Sequence, residues 1–116
     1  MEFKLDVYDA DGNKKTYVTD DFRLTMGTCE DILELVEVDK LMGTVAGGKV
    51  DEEQAINIMM PMMMRLSKEY ENFMKQVFPD LTHDEYRSAD PGEVSGIVWN
   101  IVMYTIQQLF NISAKN

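Results

Sequence analysis

Phe78-Pro79-Asp80-Leu81-Thr82-His83-Asp84-Glu85-Tyr86 decides how the C-terminal half of this chain folds. Thr82 stands three residues before Glu85, the spacing at which each side chain reaches a free backbone amide in the first turn of a helix. A second start comes at once in Asp90-Pro91-Gly92-Glu93. It offers an N-cap aspartate, a proline at the first helical position where its missing N–H costs nothing, and a glutamate placed to reach back. From there Val94, Ile97, Val98, Ile101, Val102, Thr105, Ile106 and Leu109 recur at helical spacing as a broad apolar stripe. The segment is built to pack, and no reactive group accompanies it.

The residues before it predict more helix, interrupted by an odd composition. Asp51 can cap a helix from Glu52 toward Val77, and Pro61 removes one ladder bond and clashes with the preceding turn, so the segment is kinked or split there. Around that proline lie Met59, Met60, Met62, Met63 and Met64, half of the chain's 10 methionines. Met59, Met63, Leu66, Tyr70 and Phe73 share one helical face and read as core, whereas Met60, Met62 and Met64 point around the cylinder. Unbranched, polarizable thioethers repack against differently shaped partners. Met60, Met62 and Met64 are therefore the candidate protein-binding residues.

Upstream, Thr28-Cys29-Glu30-Asp31 resembles a capping box and predicts a helix over 28–41, with Ile32, Leu35 and Val36 on its apolar face. Gly43, Gly47 and Gly48 break that pattern, and 42–50 reads as a flexible loop. Residues 1–20 read as a β-hairpin. Phe3, Leu5 and Val7 alternate with polar neighbours, Thr16 to Thr19 are strand-prone, and Asp9 to Asn13 supply turn chemistry. A calcium loop fails on the same residues, because Val7 and Val18 fall where the first and the bidentate last carboxylate belong. The expected fold is α+β, mainly α: one domain over 1–116, with the hairpin, four or five helices, a helical body over 51–112 and a frayed tail at 113–116. In its core, Trp99, Tyr104 and Phe110 are expected to pack against Phe73 and Tyr70.

Composition limits the partners. A chain of 116 residues can bury roughly two-thirds of its unfolded surface, enough for one core. Twenty-one acids against eleven bases give a net charge of −10, which repels phosphate backbones and anionic lipid, so neither nucleic acid nor membrane is an expected partner. No apolar run approaches the ~20 residues of a membrane span, and Met1 to Asp6 lack the features of a signal peptide. A cytoplasmic protein is expected, in which Asn111-Ile112-Ser113 is a chance match to a glycosylation pattern. The one cysteine, Cys29, sits at a predicted helix N-terminus, where a thiol can be activated, yet nothing in the sequence places the one histidine, His83, beside it. No phosphate loop is present. No catalytic residue, metal ligand or cofactor is expected.

This arrangement resembles the tail assembly chaperones of long-tailed bacteriophages and their prophage relatives. The likeness runs through a short hairpin, a helix, a variable loop, an apolar helix ending at Val77-Phe78, the Thr82 cap, Asp84-Glu85-Tyr86, and a terminal helix from Glu93 through Ile112. Ser88-Ala89-Asp90-Pro91 stands where that family commonly has a glycine-containing link. The resemblance implies a non-enzymatic protein of the bacterial host cytoplasm that is lost from the mature virion. It would hold the tape measure protein soluble, help recruit tail tube protein and self-associate weakly into a homo-oligomer. Members of that family are often made in two forms, the longer by ribosomal slippage, which codons for Ala114-Lys115-Asn116 would permit; from the residues themselves 113–116 read as a polar, frayed tail. The alternative is a small acidic adaptor or inhibitor that binds one protein through the methionine-rich helix.

Overall fold

The N-terminal strands form because alternation gives them one apolar face. β1 (Phe3–Tyr8) and β2 (Lys14–Thr19) pair antiparallel, with Phe3 opposite Thr19, Leu5 opposite Tyr17 and Val7 opposite Lys15. Phe3, Leu5 and Val7 are buried, and Tyr17 shares their face because residues directly opposite point the same way. The turn between the strands uses its own acid. Asp9 accepts at Oδ1 from the N–H of Asp11 at 2.9 Å and of Asn13 at 2.8 Å, and Gly12 takes φ +83°, a left-handed conformation that costs glycine little. Those backbone donors, Asn13 foremost, hold the Asp9 carboxyl below its usual range.

The computed structural model describes residues 2–35 and 52–115, and of residues 52, 54–56, 106 and 109–115 the backbone alone. Within them the hairpin is followed by five helices: α1 (Met26–Leu35), α2 (Glu52–Arg65), α3 (Ser67–Val77), α4 (His83–Ser88) and α5 (Pro91–Lys115). The fold is α+β and mainly helical, as expected. Among the described residues, no helix is long and apolar enough to cross a membrane.

Three boundaries differ from the sequence expectation. The helix expected over 28–41 starts earlier, at Met26, because Thr25 is its cap: Thr25 Oγ1 accepts from the Thr28 N–H at 3.1 Å, and Thr28 is buried. Its expected continuation to 41, the loop 42–50 and the Asp51 cap lie outside the described residues. The helix carrying Pro61 neither splits nor ends at the proline. Pro61 and Asn57, whose carbonyl loses its partner, are exposed, so water can satisfy that oxygen. The break comes at Leu66, with φ −110° and ψ 39°. Leu66 N–H still donates to Met62 O at 2.8 Å, and Tyr70 N–H to Leu66 O at 3.0 Å. One residue's ψ therefore turns the axis while the hydrogen bonds continue around it. Finally, residues 113–115, expected to fray, continue α5. Ser113, Ala114 and Lys115 contain no helix-stopping residue.

α5 packs mainly along α2 and also against β1, α3 joins α1, α2 and α4, and the buried sides of these elements and of the hairpin meet in one core. Met59, Met63, Tyr70 and Phe73 are buried as the face-by-face reading predicts, and so are Val94, Ile97, Val98, Ile101, Val102 and Thr105. Tyr70 is fully buried, and its hydroxyl donates to the Leu35 carbonyl at 3.0 Å, which ties α3 to the end of α1. Burial pushes that phenol up to about 12.

The aromatic core is not the expected one. Trp99 is buried, but Tyr104 is 37% exposed, because it falls on the α5 face that carries the exposed Asn100, Gln107 and Gln108. The Phe110 side chain lies outside the described residues. The ring contacts instead join the hairpin to later parts of the chain, Phe3 to Phe22 with centroids 6.0 Å apart and Tyr17 to Phe78 at 6.1 Å.

Candidate functional site

α4 exists because of its cap. Thr82 Oγ1 accepts from the Glu85 N–H at 3.2 Å, and Glu85 Oε1 accepts from the Thr82 N–H at 3.0 Å, the reciprocal pair that the sequence spells out. The sequence does not reveal that the hairpin joins this cap. Tyr17 donates its hydroxyl to the same Glu85 oxygen at 2.7 Å, and Lys15 Nζ lies 3.4 Å from Glu85 Oε2. Lys15 Nζ also sits 3.0 Å from the Tyr17 hydroxyl and 4.5 Å above its ring. The Tyr17 bond, seconded by the Thr82 amide, holds the Glu85 carboxyl down to about 2.

Stability in acid depends on this carboxyl. Glu85 titrates near 4.5 when unfolded and near 2 when folded, so its stabilisation is complete above pH 4.5 and is lost as pH falls toward 2. Glu85→Gln is expected to flatten the acid limb of the stability curve in that window, and Tyr17→Phe to flatten it in part. Urea melts at half-unit pH steps measure this. Parallel curves for parent and Glu85→Gln would contradict the assignment.

The second cap is half of what the sequence offers. Asp90 Oδ2 accepts from the Glu93 N–H at 3.1 Å, while the Glu93 carboxyl lies near β1, where burial and then the charges of Asp6 and Asp90 push it up. Because α4 ends at Ser88 and Pro91 opens α5, the chain turns a tight corner. Beside the end of α2 that corner leaves an open apolar groove, lined by Met63, Met64, Tyr86, Ala89, Pro91 and Val94, with Ser67 and Arg87 at its rim. The groove measures about 210 Å³. Tyr86 gives it an aromatic wall, and burial, then the charge of Glu71, pushes its hydroxyl up to about 12.

The three candidate methionines separate here. Met64 is 62% exposed and stands in the groove. Met60 and Met62 are half-buried and pack against the core, so the expectation of one shared surface narrows to Met64. Helical spacing alone could not say which side of α2 the corner would leave open. It is set by where α4 and α5 sit.

His83 and Cys29 are not joined. The His83 ring shares a 2.7 Å hydrogen bond through Nδ1 with Glu71, which also pairs with Lys75 at 3.0 Å. Cys29 is half-buried in the first turns of α1. Among the described residues, no three or more His, Cys, Asp or Glu side chains are grouped to hold a metal ion. No protein-family model, curated protein or solved structure matches the chain.

Proposed function

We propose that this protein is a non-catalytic binding protein whose groove beside Met64 takes an apolar helical segment of a client. The client is the one the family resemblance implies, the tape measure protein of a long-tailed phage, with tail tube subunits recruited to the complex. It acts in the host cytoplasm and is absent from the mature virion. The observation that carries the reading is Met64, 62% exposed at the lip of an apolar groove. A flexible thioether at the lip and an aromatic Tyr86 wall suit a helix laid into a groove. A bare tape measure is a long apolar-striped chain that aggregates, and a carrier with a net charge of −10 keeps the complex soluble.

Met64→Glu tests this reading. The side chain is already in water, so the thermal melt is expected to stay within about 0.5 kcal/mol of the parent's. Soluble tape measure fragment recovered on co-expression is expected to fall severalfold. Met62→Glu is not an equivalent test, because Met62 packs partly into the core. Undiminished solubilisation by a folded Met64→Glu protein would remove the groove from the interface.

A further inference from the structure

Among the described residues, β2 is bonded along one side only. Tyr8 N–H points away from β2 and donates to Ser88 Oγ at 2.8 Å, while Asp9 N–H bonds the Asn13 carbonyl at 3.0 Å. Hydrogen-bonded and non-bonded pairs alternate along an antiparallel ladder. Lys15, Tyr17 and Thr19 therefore exchange bonds with β1, and Lys14, Thr16 and Val18 turn their amides and carbonyls outward. Among the described residues, no group bonds to those outward positions. Such an edge is a template for another strand.

The charge order along this edge selects the strand that fits it. Lys14 stands at its start and Asp20 just past its end, with Thr16, Tyr17 and Val18 between. We infer that a second copy of the chain pairs with β2, antiparallel, about a two-fold axis at Tyr17, making a four-stranded sheet. A two-fold normal to the sheet keeps each face on its own side, so a residue can oppose only one of its own parity. Centring on Tyr17 sets Thr16 against Val18 of the second copy and Lys14 against Asp20, each twice by symmetry. Centring on Thr16 sets Lys14 against Val18 and pairs no opposite charges, and centring on Val18 sets Thr16 against Asp20 and Lys15 against Asp21, but Lys15 is already held by Glu85 and the Tyr17 hydroxyl, so of these registers the Tyr17 one alone gives Lys14 an acid. The Thr16 and Val18 positions carry the new backbone bonds. Val18, 57% exposed on the solvent face, gains a cross-strand neighbour. Lys14 leans on Asp6 at 3.4 Å but remains 59% exposed, within reach of a further carboxylate.

Sedimentation velocity of the full chain over a concentration series tests the pairing. Two copies at −10 each repel, so a weak dimer is expected, with Kd on the order of 10–100 μM. Thr16→Pro removes an outward N–H that an edge strand can spare, and it is expected to leave a monomer with a cooperative melt. Lys14→Asp places like charges in opposition and is expected to weaken the dimer about tenfold. Lys14→Asp combined with Asp20→Lys restores opposite charges and is expected to restore the dimer. Met64→Glu is expected to leave self-association unchanged, which separates this surface from the client groove. A parent that stays monomeric up to about 1 mM overturns the inference. So does a dimer insensitive to both Thr16→Pro and Lys14→Asp, a charge exchange that fails to rescue, or a dimer lost in Met64→Glu.

Discussion

Val98→Asp abolishes the cooperative thermal melt. Val98 is fully buried on α5, with Ile101 and Val102 beside it in the same stripe and Tyr70 and Phe73 in the same core. The substitution removes a buried valine, worth about 1.5–3 kcal/mol, and leaves a carboxylate without a partner, at a further cost of several kcal/mol. A domain of this size stands only about 5–15 kcal/mol above its unfolded state. The new acid must either be hydrated, which opens the core, or be protonated, which leaves a poorly packed polar group. Asn100→Asp is the matched control, because Asn100 is exposed on the same helix and should leave the melt in place. Circular dichroism at 222 nm reads both variants. A Val98→Asp melt close to the parent's would mean that the stripe does not face the core.

Leu5→Ala lowers the melting temperature of the whole protein. Leu5 is fully buried and lies opposite Tyr17, so it contacts the helical body through the inner face of the hairpin. Truncating a buried leucine costs about 2.7–5 kcal/mol once the residual cavity is included, which corresponds to a fall of more than about 10 °C for a domain of this size. Val18→Ala, on the opposite face of the same sheet, is expected to shift stability by no more than about 0.5 kcal/mol. The informative readout is helical ellipticity, to which the hairpin contributes little. If the helices melted at an unchanged temperature in Leu5→Ala, the hairpin would be an appendage and not part of the cooperative unit.

Much of the architecture was legible because it rests on local chemistry. The Thr82 and Glu85 cap, the Asp90 and Pro91 start, the hairpin alternation and the core face of Met59, Met63, Tyr70 and Phe73 are each set by spacing within one element. The features that escaped the sequence depend on contacts between elements. Thr25 and Thr28 both offer a hydroxyl near the start of α1, and only the burial of Thr28 against the core decides that Thr25 is the cap. Tyr104 has the size of a core residue, yet the register of α5 turns it toward Asn100 and Gln107. Pro61 marks a place where the helix could break, but the break falls at Leu66. The candidate site was readable only as a composition. Five methionines suggested an adaptable surface, and the corner between α4 and α5 leaves Met64 the most exposed of the three candidates while Met60 and Met62 stay half-buried.

The clasp from Tyr17 and Lys15 to Glu85 also bears on how the polypeptide acquires its shape during synthesis. α4 has six residues, too few to persist without outside support, and part of that support comes from a strand made much earlier. The greasy side of the hairpin in turn waits for α5, which is made after the other described helices. Neither the hairpin nor α4 can complete its packing until both have been made, so Phe3, Leu5 and Val7 stay uncovered while the helices between them and α5 are translated. Such distant closures slow folding and leave an aggregation-prone interval.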